Sequence, residues 1–202
     1  LGCLAYLEGN TSDMIKYHDK SLRLAPNDYH VLTNYSVSLN NSGRYAEAYE
    51  HAQKALNVHG YDNIDLLKNT FDYAVTAGLT EESSKLSEKL DMQKASYGKE
   101  EFEYILKIMD EFKISAENVF EYFSLVSKVL TDYDVYPMLM EFWGVDENYP
   151  VREIFVSAKP IVVADMNEKL SELMSRSFVS SELMMKFNIV FTVYDIRHKV
   201  AI

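Results

Sequence analysis

Three glycines, Gly9, Gly43 and Gly78, stand 34 and then 35 residues apart, and the residues around them keep step. A period of this length marks a chain built from stacked copies of one supersecondary unit. Laying the first copy on the second puts Leu1 over Tyr35, Ala5 over Leu39, Met14 over Ala48, Leu22 over Leu56 and Leu24 over Val58. Pro26 falls over Gly60, and both are residues at which a helix stops. Each unit therefore reads as a helix, a glycine-centred turn and a second helix with short side chains at its crossing point. Two antiparallel helices approach closely only where side chains are short, so the alanines carry as much meaning as the leucines.

On these residues the first half of the chain resembles the tetratricopeptide repeat family, whose unit is a helix–turn–helix of 34 residues. The resemblance rests on Leu1, Gly2, Ala5, Gly9 and Pro26 in the first copy. In the second it rests on Leu32, Tyr35, Leu39, Gly43, Tyr45, Ala48, Ala52, Ala55 and Leu56. The third copy keeps Leu67, Ala74 and Gly78, is one residue longer, and has Ser83 and Ser87 where the second has Ala48 and Ala52. The resemblance covers residues 1–96 and implies a solenoid of helical hairpins with the first copy truncated. Leu1, Leu4 and Leu7 open the chain without a preceding helix start, which suggests a fragment of a longer protein with further repeats upstream.

Beyond Tyr97 and Gly98 the echo ends. Residues 97–132 read as a pair of helices that caps or links the repeats. The first carries Phe102, Ile105, Leu106, Met109 and Phe112 on one face; the second, opened by Ser115, carries Val119, Phe120, Phe123, Val126, Val129 and Leu130. Residues 133–202 read as a small α+β domain. "YPMLMEFW" and "VREIFVSA" form a hairpin around "GVDENY" and Pro150. A helix over "ADMNEKLSELMSR" follows, with Asp165 and Glu168 in a capping arrangement and Met166, Leu170, Leu173 and Met174 turned inward. The last strand, "KFNIVFTVYDIR", alternates Phe187, Ile189, Phe191 and Val193 with Asn188, Val190, Thr192 and Tyr194. The fold class expected is mainly α: a tetratricopeptide-like solenoid followed by a small α+β domain.

Several classes of function are disfavoured by what the chain lacks. A net charge of −11, with only acidic side chains between Lys128 and Arg152, offers no basic track for nucleic acid. No apolar run approaches the roughly 20 residues of a membrane span. The single Cys3 rules out an internal disulfide framework, and its place on a helix suggests packing or groove lining. A cytoplasmic setting is the simplest fit. His51 and His59 are too far apart for the i, i+4 pairing of a helical metal site, and His18 sits where an aromatic packs. No phosphate loop or nucleophile turn is present, so neither a cofactor nor a catalytic residue is expected. Adjacent carboxylates such as Glu100 and Glu101, or Asp110 and Glu111, point apart on a helix and read as solvated faces.

Recognition of another protein remains. Leu32, Tyr35 and Leu39 face into the second hairpin, leaving His30, Thr33, Asn34, Val37, Asn40 and Asn41 on the opposite side. The corresponding face of the third copy holds Asp65, Lys68, Asn69, Asp72 and Thr76. Stacked first helices would line one concave wall, where the resemblance implies binding of an extended peptide or a partner helix. Asparagine suits such a wall because its amide both donates and accepts. Asp65 and Asp72 around Lys68 favour a basic or neutral ligand over an acidic one. The competing expectation makes the repeats a sensor arm for a C-terminal effector or catalytic domain. A polar pocket of convergent charges in the α+β half would favour that reading, and a filled core would count against it.

Overall fold

A computed structural model describes residues 1–95, 97–143 and 150–194. These residues form ten helices and one three-stranded sheet, and the chain divides into two compact units, Leu1–Glu103 and Tyr104–Ile202. The division falls inside a helix that the sequence places wholly in a capping pair.

The first unit contains α1 (Gly2–Leu7), α2 (Thr11–Leu24), α3 (Tyr29–Asn41), α4 (Tyr45–His59), α5 (Ile64–Thr76) and α6 (Thr80–Met92), and the first residues of α7 (Glu100–Phe112). They pack as consecutive pairs, α1 with α2, α3 with α4 and α5 with α6. Neighbouring pairs meet through α4 on α5, and through α1 and α2 on α3. The three turns are chemically alike. Gly9, Gly43 and Gly78 have φ of 71°, 77° and 74°, a left-handed conformation in which a Cβ is strained. One residue later the amide reaches back five positions: Asn10 to the Ala5 carbonyl at 2.8 Å, Arg44 to Leu39 at 3.0 Å, Leu79 to Ala74 at 2.9 Å. Such closures satisfy carbonyls that the helix end leaves open. Helix starts are also signed: Asn10, Asp28 and Asn63 each accept a backbone N–H of the first turn.

Leu32, Leu39, Ala48, Ala52, Ala55, Leu56, Leu67 and Ala74 are buried, as the overlay requires. Ser83 takes an alanine position at no polar cost, because its hydroxyl donates to the Leu79 carbonyl at 2.8 Å. Cys3, expected to pack or to line a groove, is exposed and so does not pack, and the aligned pair Leu24 and Val58 are both exposed.

The centre of this unit is an aromatic stack that links three helices. Tyr35 of α3 lies between the imidazoles of His18 on α2 and His51 on α4, with ring centroids 4.6 and 4.5 Å away. The Tyr35 hydroxyl donates to Asp19 at 3.1 Å, and His18 Nε2 meets the Ser38 hydroxyl at 3.0 Å. Gly2 is pressed against the His18 ring so closely that a Cβ there would fall 2.5 Å from it. Burial lowers the pKa of both histidines below the ordinary 6.5, so the folded state prefers them neutral. Their contribution to stability is complete above pH 6.5 and declines as acid charges them in the unfolded chain first. Asp72 acts in the opposite sense, since its raised pKa adds folded-state proton uptake below about pH 6. The expected result is a wild-type urea midpoint that falls, between pH 7 and pH 5, relative to that of a His18→Gln/His51→Gln variant, in which only the opposing trend from Asp72 remains. Parallel profiles for the two proteins would remove the stack as a source of pH dependence.

The second unit holds the rest of α7, then α8 (Ala116–Asp132), β1 (Pro137–Trp143), β2 (Val151–Val156), α9 (Pro160–Arg176), α10 (Ser181–Lys186) and β3 (Asn188–Val193). The sheet order is β1-β2-β3. β1 and β2 run antiparallel with Trp143 opposite Val151, while β2 and β3 run parallel with Ile154 opposite Phe191. Parallel strands need a crossover, and α9 supplies it, packing on β3 and against α8. The hairpin turn "GVDENY" lies outside the described residues.

Three sequence expectations need correction here. α9 begins at Pro160, five residues before Asp165, because proline's fixed φ and missing N–H suit a helix start. Asp165 and Glu168 therefore sit inside the helix and cap nothing. The buried face of α7 includes Tyr104 and Ile108 while Leu106 is exposed, and on α8 Tyr122 is buried where Phe120 is exposed. α10 was not foreseen at all; its signal is Ser180, whose side chain accepts the Leu183 N–H. The core is filled by Ile154, Val156, Met166, Leu183 and Phe187. Phe187 packs edge-on to Phe123 and flat on Phe142, each at 5.4 Å between centroids. Buried Arg152 lays its guanidinium 4.2 Å from the centre of the Phe123 ring, a cation–π placement.

Candidate functional site

Helices α3 and α5 bound a cavity of about 220 Å³ lined by Tyr29, Thr33, Ser36 and Val37 from one and Asp65, Leu66, Asn69 and Tyr73 from the other, together with Asn63. It exists because the two hairpins turn alike. Repeated caps at Asp28 and Asn63 start both helices at the same level, and the Asn63 amide donates to the Tyr29 hydroxyl at 2.9 Å.

Of the groove residues expected from sequence, Thr33, Val37 and Asn69 line this cavity together with Asp65. Val37 offers an apolar surface that is 42% exposed. Thr33 contributes its methyl more than its hydroxyl, which donates to the Tyr29 carbonyl at 2.8 Å. His30 and Asn34 are exposed outside it, His30 with its ring edge-on to Tyr29. Asn40 and Asn41 lie beyond the cavity, half-buried, and spend part of their capacity on each other through a 3.3 Å amide contact. Lys68 and Thr76 are half-buried on α5 and do not line the cavity.

Asp72 is set apart by its electrostatics. Water reaches the side chain, yet enough protein surrounds it that desolvation, reinforced by Glu101 and opposed by Lys68, pushes its pKa up to about 6. Glu101, read from sequence as a solvated surface charge, is half-buried and close enough to act on it. Residues 65, 69, 72 and 76 follow helical spacing along one side of α5, so Asp72 lies one turn beyond the cavity wall formed by Asn69.

Sequence reading missed Tyr29, Ser36, Asn63, Leu66 and Tyr73. Tyr29 and Asn63 had a usable signal, since each sits at a helix start one repeat apart. Ser36 and Tyr73 had none, because their burial depends on the neighbouring hairpin. Tyr73 carries a raised pKa from burial and from Asp72, and remains a neutral donor.

The second unit has a depression of about 280 Å³ on α9, lined by Tyr133, Asp165, Glu168, Lys169 and Glu172. Glu172 is already engaged by Lys169 at 2.9 Å and Arg176 at 2.7 Å, and these partners hold its carboxyl below the usual range. An ion-paired carboxylate is poorly suited to exchange protons near neutrality. Among the described residues no cluster of metal-ligating side chains occurs, and no helix is long and apolar enough to cross a membrane. Family models, curated proteins and solved structures give no match to this chain.

Proposed function

We propose that the first unit is a tetratricopeptide-like solenoid that binds a protein segment along the wall formed by α3 and α5. The observation that carries this reading is the cavity between those helices. At about 220 Å³ it lies below the roughly 300–1,000 Å³ typical of small-molecule sites, and so suits one side chain of a longer ligand. Its lining alternates apolar surface (Val37, Leu66) with amides and hydroxyls (Asn63, Asn69, Tyr29), the mixture that an extended backbone with intermittent side chains requires. Three similar turn closures, at the glycines that set the period, support the repeat assignment. The ligand is basic or neutral. An adaptor role follows, with the α+β unit offering a second surface.

The competing reading, a catalytic or effector α+β domain served by the repeats, draws on the charged depression of α9. Its ion-paired Glu172 and the filled core of that unit weigh against it.

Selection of random dodecapeptides displayed on phage tests the groove. Binders are expected that lose at least about tenfold in affinity with Val37→Glu or Asn69→Arg, while Lys85→Glu on the exposed side of α6 leaves them unchanged. Binders indifferent to all three substitutions would place recognition elsewhere.

A further inference from the structure

Resting on that reading of the α3–α5 wall, we propose that its cavity receives a lysine or arginine side chain of the bound segment, with Asp65 and Asp72 as the residues that select it. The cavity has the layout that a long cationic side chain needs. Val37 and Leu66 present apolar surface to the methylene stem, and the aromatic side chains of Tyr29 and Tyr73 line the same space. Long basic side chains bury their stems while keeping the charged head near polar groups, and an aromatic ring adds attraction to that head. Asp65 lies in the lining itself, and Asp72 continues the same side of α5 two turns on.

Charge complementarity decides between a cationic and a neutral occupant. At Asp72 the effect of burial and of Glu101 from α7 is offset only in part by Lys68, one turn back on α5. Among the described residues no ion pair closes on Asp72 or Asp65. On the facing side of α3 the one titratable group outside the cavity lining is His30; Thr33, Asn34, Val37, Asn40 and Asn41 carry no charge. A guanidinium or ammonium arriving from the ligand therefore relieves repulsion that the protein leaves in place, whereas an acidic side chain adds to it. Because Asp72 takes up a proton near pH 6, the attraction weakens as the medium is acidified through that range.

The probe is a set of acetylated, amidated octapeptide mixtures. One position is set to Arg, Lys, citrulline, Leu or Glu, and all other positions are drawn from uncharged residues. Retention on the immobilised protein is measured at pH 7.5 and pH 5.5. The Arg and Lys mixtures are expected to be retained at least about tenfold more than citrulline or Glu, and the margin narrows at pH 5.5. Asp72→Asn removes most of this preference without lowering retention of the Leu mixture, and its circular dichroism melt verifies the fold. Equal retention of Arg and citrulline, abolished for both by Val37→Glu, would overturn the basic anchor and leave the groove standing. An Arg preference that survives Asp72→Asn and Asp65→Asn would also overturn the anchor, reducing it to attraction by net charge. No mixture responding to Val37→Glu would overturn anchor and groove together.

Discussion

Tyr35→Ala is expected to cost the repeat unit about 3–5 kcal/mol, the range for deleting a large buried aromatic. Natural domains have only about 5–15 kcal/mol to lose, so the variant should be substantially unfolded at modest urea concentrations. The size follows from what Tyr35 joins. Its ring is held between His18 and His51, so its removal opens the contacts of α3 with α2 and α4 at once. The two imidazoles would then face a void that water enters. Tyr35→Phe separates packing from polarity: it keeps the stack, loses the 3.1 Å bond to Asp19, and should cost about 1 kcal/mol. Urea midpoints of the three proteins decide the matter. A Tyr35→Ala loss no larger than that of Tyr35→Phe would mean that the stack contributes little and the alanine seam of α4 carries the unit.

In the second unit the largest effect is expected at Phe187, also about 3–5 kcal/mol on truncation to alanine. Phe187 is fully buried, joins Phe123 of α8 to Phe142 of β1, and precedes β3 by one residue. Its carbonyl accepts the Tyr122 hydroxyl at 2.7 Å, so the backbone is held where the ring is. Truncation would also leave Arg152 over a partly emptied aromatic floor. Phe187→Leu keeps most of the volume and should cost less than about 1.5 kcal/mol. Hydrogen exchange is the suitable measurement, with protection in α8 and β2 falling together in the alanine variant. Loss confined to β3 would show that the ring fills local space without joining the layers.

Where sequence was sufficient, the chemistry was local. A glycine at positive φ, an Asn or Asp accepting the amide three residues on, and alanines where helices cross act within a few residues. Gly43, Asp28 and Ala52 therefore announce their roles without the rest of the fold. Strand alternation in β3 is similarly self-contained, since a period of two sets which side chains share a face.

Other features depended on partners distant in the chain. The start of α9 lies earlier than expected because Asp165 and Glu168 resemble a capping pair, while the helix itself opens at Pro160. On α8 the expected face holds at Val119, Phe123, Val126, Val129 and Leu130, but Tyr122 is buried and Phe120 is not; both are aromatic, and the Tyr122 hydroxyl finds a partner in the Phe187 carbonyl. In the candidate groove, sequence supplied Thr33, Val37 and Asn69 from helical spacing. Tertiary packing alone added Ser36 and Tyr73 and brought Glu101 to Asp72, across 29 residues of chain.

The amino-acid sequence by itself determined the spacing of the glycine turns and most of the apolar stripe on each helix, because those follow from backbone strain and side-chain period. The tertiary structure decided which polar residues converge and how crowded each becomes. Proximity and desolvation are properties of neighbours, and no residue carries them alone.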